Sequence, residues 1–160
     1  TVQKVYLALV HGRLDQPINA EGWMAPDPGS LVNKKQRFIP GVSGQDQPPP
    51  ASGKWSTTHL APQKNRDGIT LVQAIPLTGR YHQIRATLQA LGLPIVGDKL
   101  YGLDEHFFLR FVKQELTDAD RDRLRLPRQA LHAAELQIQH PRSGQPLTFQ
   151  APMPPDMNCL

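Results

Sequence analysis

Along residues 2–10 apolar side chains occur on both alternating sets of positions: Lys4, Tyr6, Ala8 and Val10 on one, Val5, Leu7 and Leu9 on the other. A two-residue period with apolar groups on both faces predicts an interior β-strand, with Gly12 as its stop. Residues 56–60 and 68–76 predict two further strands, joined by a polar turn at 63–68 whose Asp67-Gly68 step is a hairpin signal. The period then changes. Ile84, Leu88 and Leu91 recur at four and three, which predicts a helix over 82–91 ended by Gly92, with Arg85 and Gln89 off its apolar stripe. Residues 104–112 predict a second short helix, and Thr117-Asp118-Ala119-Asp120 has the form of a capped helix start. Residues 133–140 alternate again as a half-buried strand, a turn follows at 141–144, and 147–149 return. No internal repeat is present. The pattern predicts one α+β domain with a largely antiparallel sheet and a few helices.

Proline changes this picture in one region. The chain of 160 residues has 16 prolines, 10% against the usual proportion of about 5%. Half of them lie in the first 62 residues. Residues 15–54 are rich in breakers, which excludes helix and leaves at most short edge strands or hairpins. Residues 40–53, with Pro48-Pro49-Pro50-Ala51-Ser52-Gly53, form the most linker-like stretch and predict a surface insertion.

Charge narrows the partner. The formal net charge is +4, a surplus that suits an anionic partner. It is uneven: residues 30–95 contain eight lysines and arginines against two aspartates, whereas residues 98–122 contain half of all the acids. A basic surface is therefore expected on the strands and around Arg80 to Arg85. No apolar run is long enough to span a bilayer. The single cysteine, Cys159, excludes a disulfide framework or a thiolate metal cluster and fits a reducing cytosol. The chain starts at Thr1 rather than methionine, which suggests a piece of something longer.

The densest polar cluster is Thr78-Gly79-Arg80-Tyr81-His82-Gln83-Ile84-Arg85, between a strand and a helix. Gly79 is expected to allow a tight turn, and the N–H groups opening the helix can meet an anion. Arg80 and Arg85 add forks that fit carboxylate or phosphate, while His82 and Gln83 add neutral hydrogen-bonding groups. By itself this is a capped helix start. Two arginines and a histidine also fit a phosphoryl-transfer hydrolase, although no nucleophile with an adjacent base accompanies them.

In order along the chain come Lys4-Val5-Tyr6-Leu7-Ala8-Leu9-Val10, the 78–85 cluster, Leu91-Gly92-Leu93-Pro94-Ile95-Val96-Gly97-Asp98, Tyr101-Gly102, Arg128-Gln129-Ala130-Leu131-His132-Ala133, His140-Pro141 and residues 147–154. This ordered set resembles the catalytic domain of the RluA family of RNA pseudouridine synthases over residues 2–156. The resemblance implies isomerisation of uridine to pseudouridine in rRNA or tRNA, with no cofactor and no metal, by a cytoplasmic monomer. It implies Tyr6 as the active-site tyrosine packed on the target base, and Arg85 as the arginine that pairs with the catalytic aspartate. Arg80, His82 and Gln83 would organise the site and nearby RNA backbone, and Leu131 would line the uracil pocket. A base must leave its stack to be modified, and an aromatic face with an apolar wall receives it.

One departure matters. The family's nucleophile belongs to an H-R-L-D-x-x-T-S-G motif ahead of the tyrosine strand, and here that strand begins at Val2. Residues 11–15 contain Arg13-Leu14-Asp15, but after the tyrosine strand and without Thr-Ser-Gly, so Asp15 reads as a turn residue. Two readings follow: the C-terminal portion (residues 1–160) of a synthase domain, inactive alone, or a relic that binds RNA without modifying it.

Overall fold

The structure is a computed structural model that describes residues 2–42 and 48–158. Seven strands, β1 (Gln3–His11), β2 (Ile18–Pro26), β3 (Gln36–Pro40), β4 (Lys54–Arg66), β5 (Ile69–Pro76), β6 (Leu131–Gln139) and β7 (Pro146–Gln150), form one sheet in the order β3-β2-β4-β5-β1-β6-β7. Every pairing is antiparallel. Three helices complete it: α1 (Gln83–Ala90), α2 (His106–Val112) and α3 (Asp118–Leu124). The α+β class and the antiparallel sheet are as the sequence predicts.

β1 lies between β5 and β6, and Ala8, Leu9 and Val10 have no exposed surface. Both faces are buried, as expected from the apolar side chains on both. Beyond Ala8 the β6 ladder gives way to a loop. Leu9 N–H donates to Ala130 O, Val96 N–H to Leu9 O and Ala130 N–H to Val96 O. Residues 94–97 are thereby stitched against β1. Gly97 permits this, because its φ is +74° and a Cβ there would sit 2.0 Å from Arg128 O.

The hairpin between β4 and β5 is tighter than the polar composition of 63–68 suggests. Strand β4 runs through to Arg66, only Asp67 and Gly68 turn, both at positive φ, and a register shift between Pro62 and Lys64 absorbs the odd residue. The proline-rich region is also corrected. Beside the expected short edge strand, β3, it supplies the nine-residue β2, an interior strand between β3 and β4 whose Ala20, Met24 and Ala25 are buried. Its prolines flank the ladder instead of interrupting it: Pro17 precedes β2 and Pro26 is its last residue. Of the 40–53 stretch, residues 43–47 lie outside the described residues, as do Thr1 and Cys159.

Helix α1 packs against β3, β4 and β5 through Ile84, Ala86, Thr87 and Leu88. It ends in a Schellman motif: Leu93 N–H donates to Leu88 O and Gly92 N–H to Gln89 O, with Gly92 at φ +73°. Helix α3 has the expected cap, the Thr117 hydroxyl accepting from Asp120 N–H and the Asp120 carboxylate from Thr117 N–H.

Candidate active site

At the N-terminal half of β1 the sheet borders a cavity of about 480 Å³, within the range of small-molecule and nucleotide sites. Tyr6, Arg80, His82, Gln83, Arg85 and Leu131 all line it. Three distant parts of the chain meet there: β1 brings Tyr6, the β5–α1 connection and α1 bring residues 77–85, and β6 brings Leu131. Pairing of Tyr6 with Ala74, and of Ala8 with Leu131, sets their spacing. Asp15 is elsewhere, exposed and paired with Arg13.

Tyr6 is half-buried and its hydroxyl makes no hydrogen bond among the described residues. A core tyrosine ordinarily finds a partner; this one faces the cavity with its hydrogen-bonding capacity unused. Leu131 is likewise half-buried and supplies apolar wall.

Arg85 forms the strongest contact of the site. Its Nε donates to Asp98 Oδ2 at 2.7 Å and its Nη2 to Asp98 Oδ1 at 2.8 Å, a bidentate, charge-assisted pair. The Asp98 side chain is fully buried, and Oδ1 also accepts from Leu100 N–H and Tyr101 N–H. Nη1 of Arg85 makes no hydrogen bond among the described residues. The guanidinium lies 4.7 Å above the Tyr101 ring, an arrangement that restrains it from both sides.

Tyr101 has no exposed surface. Its hydroxyl accepts from Gln36 N–H at 2.8 Å and meets His82 Nδ1 at 3.0 Å. The hydroxyl proton has one acceptor in reach, so it goes to Nδ1 and leaves the His82 proton on Nε2. Burial, then the charge of Arg85, lower the His82 pKa below its ordinary 6.5, with Asp98 opposing. Burial pushes the Tyr101 phenol up to about 12. His82 is thus a neutral donor near pH 7. It stacks on Tyr81 with ring centroids 3.8 Å apart.

The left-handed residue of the turn into α1 is His82, at φ 55°, not Gly79, which has neither positive φ nor a neighbour that would exclude a Cβ. What fixes the turn is Gln83. Its Oε1 accepts from the Thr78 hydroxyl and Arg80 N–H, while its Nε2 donates to Thr57 O and the Thr58 hydroxyl. That exhausts the amide, so Gln83 borders the cavity but spends its polar atoms holding the segment to β4. Arg80 remains exposed, its Nε donating to Trp55 O.

The basic stretch is partly neutralised. Lys35 is buried against Glu105 at 2.9 Å, and Arg85 against Asp98. Lys4 and Arg80 are the exposed cations lining the cavity, which no carboxylate of the described residues lines. Among the described residues no cluster of His, Cys, Asp or Glu has metal-binding geometry, and no helix is long and apolar enough to cross a membrane. Asp98 and Tyr101 carry no role in the sequence reading; their signal is the Gly97-Asp98 and Tyr101-Gly102 pairs, whose function requires knowing that the loop returns to α1.

The family model described as RNA pseudouridylate synthase matches residues 1–90, and the chain belongs to that family. Its resemblance to the RluA type is borne out by its relatives. It is 36% identical over its whole length to ribosomal large subunit pseudouridine synthase C of Pasteurella multocida, covering 43% of that protein. To ribosomal large subunit pseudouridine synthase D of Nitrosomonas europaea it is 33% identical, again over the whole chain and covering 40%. The chain thus spans less than half the length of these curated relatives. A solved structure, human RNA Pseudouridylate Synthase Domain Containing 1, superposes with a TM-score of 0.66 at 27% identity, covering 94% of this chain and 54% of that one.

Proposed function

We propose that the chain forms the base-receiving part of an RNA pseudouridine synthase active site, and that the RNA is ribosomal, of the large subunit. Convergence of Tyr6, Arg85 and Leu131 on one cavity beside a cationic rim is the observation that carries this reading. The names of the two relatives support the choice of RNA; a tRNA target is the other outcome of the test.

A flipped uridine enters with its ring against Tyr6 and Leu131. Lys4 and Arg80 meet the phosphates on either side. His82 Nε2–H, neutral, offers a hydrogen bond without adding charge. A nucleophilic aspartate from outside the described residues accepts from the spare Nη1 of Arg85, which keeps it ionised in a dry site. It attacks ribose C1′, and the N1–C1′ bond breaks with its electrons on uracil. The base turns within the cavity and rebonds through C5 as the carboxylate departs; the C5 proton is then lost, with Tyr6 positioned to assist, and N1 takes up a proton. The reaction is an isomerisation and requires no cofactor.

The test is tritium release from RNA labelled at uridine C5. The 160 residues alone are expected to release none. A longer protein that carries the aspartate segment ahead of Tyr6 should act on large-subunit rRNA and lose its activity on Arg85→Ala. Activity of the 160 residues alone would overturn the assignment of the nucleophile. Inactivity of the longer protein on every RNA would favour the non-catalytic RNA-binding relic.

A further inference from the structure

The active cavity does not end at Arg85. Arg85 and Leu131 also line an adjoining hollow of about 490 Å³, with Lys99, Phe108, Phe111 and Pro127 on its far side. Lys99, Phe111 and Pro127 in turn border a third, of about 650 Å³, which Arg121 and Arg125 close. The three share walls and form one track along the surface of the α2–α3 region. We propose that this track holds an unpaired RNA strand flanking the target nucleotide, with Phe111 as a stacking platform and Lys99 and Arg125 as phosphate contacts. The proposal rests on the RNA reading above and extends it to a part of the surface that reading does not use.

Two observations point to this occupant. The first is charge. Residues 98–122 contain seven of the 14 acids, yet no acid lines either outer hollow. Five of the seven are paired: Glu105 with Lys35, Asp120 with Arg110, Asp104 with His106, and Asp98 and Asp118 with Arg85 and Arg121, which themselves border the track. What faces the track is cationic. The Arg125 guanidinium takes part in no hydrogen bond or ion pair among the described residues. A carboxylate-free groove with several cations is matched by a phosphate backbone.

The second is Phe111. Phe111 is 51% exposed on the last turn of α2, with Lys99 Nζ 4.7 Å from the centre of its ring. An exposed aromatic beside a cation can take a base on its face while the cation meets the adjacent phosphate, which is how single strands are bound without sequence preference. A duplex keeps its bases stacked inside and gains nothing from Phe111, so the strand is unpaired.

The experiment compares fluorescein-labelled oligouridines of three and twelve nucleotides by anisotropy. The same twelve-mer carrying 4-thiouridine is also photo-crosslinked. The longer probe should bind about a hundredfold more tightly, about tenfold from its overlapping three-nucleotide registers and about tenfold from one added stacking contact and two phosphates. In Phe111→Ala and Arg125→Gln, both at exposed positions, that length gain should fall to about twentyfold, and crosslinks should map to residues 99–127. A full length gain in both variants, or crosslinks confined to residues near Tyr6, would overturn the track and leave the RNA reading standing. Failure of the wild-type chain to bind either probe would overturn both.

Discussion

Arg85 and Asp98 lie fork to fork, two hydrogen bonds of 2.7 and 2.8 Å joining a mostly buried guanidinium to a carboxylate with no exposed side-chain surface. Thirteen residues separate them, and the pair closes the loop after α1 back onto the helix. Asp98 also accepts from two backbone N–H groups, so it is a buried charge with all its partners in place.

Removing one member leaves the other buried and unpaired. Asp98→Ala should therefore destabilise the fold by about 3–5 kcal/mol, read from the midpoint of urea unfolding. Arg85→Met should cost less, because the backbone N–H groups still satisfy part of the carboxylate. Equal effects of the two variants would count against this account.

Tyr6 separates stability from function. Its hydroxyl has no hydrogen-bond partner among the described residues, so Tyr6→Phe should leave the stability, read from urea unfolding, unchanged within about 0.5 kcal/mol. Tritium release by the longer, nucleophile-bearing protein should nevertheless fall if the hydroxyl takes part in the final proton loss. A large loss of stability would mean that the hydroxyl has a structural partner.

Gln83 is expected to behave in the opposite way. Gln83→Leu removes four hydrogen bonds and strands the buried Thr58 hydroxyl, with an expected cost of about 2–3 kcal/mol. Because the 78–80 turn then loosens, amide exchange there should accelerate more than in β4.

Histidine gives the pH dependence. Burial first, then Arg85, lowers the pKa of His82; burial first, then Arg125, lowers that of His11. Both groups bind protons more readily in the unfolded chain, whose pKa is near 6.5. Stability should therefore be constant above that value, decline as the pH falls below it, and level off below the folded values. Glu105, whose pKa hydrogen bonds from Lys35, Ser30 and Leu31 lower against the opposing effect of burial, contributes a separate loss only below 4.5. Thermal midpoints at pH 7.5 and 5.5 check this, with His82→Asn expected to reduce the difference. Asparagine accepts the left-handed backbone at that position.

Elements defined by local pattern were legible in the sequence. The two-sided apolar alternation of β1, the Asp67-Gly68 turn, the Ile84-Leu88 spacing and the Thr117–Asp120 box each depend on neighbours within a few residues, and each appears in the structure. The six site residues could be nominated through resemblance, and their meeting at one cavity follows from the β1–β5 and β1–β6 pairings. Long-range relationships were not legible. Nothing near Asp98 says that it faces Arg85, nor near Tyr101 that it orients His82 and caps Gln36. β2 was concealed because its breaker-rich surroundings outweigh a strand that earns its place only by pairing on both sides. Gly79 reads as the turn residue from sequence, whereas the left-handed backbone belongs to His82.

β1 has a consequence for motion. Tyr6 is carried by it directly, Leu131 is paired to it, and the 94–97 loop that leads to Asp98 is bonded to its far end. The outer strands β3 and β7 each have one neighbour, so their amides are expected to exchange first and those of the buried part of β1, residues 8–10, last. Opening at the β7 edge therefore leaves the spacing between the tyrosine and the leucine intact, whereas opening at β3, on which α1 packs and whose Gln36 N–H bonds Tyr101, loosens the support of the arginine.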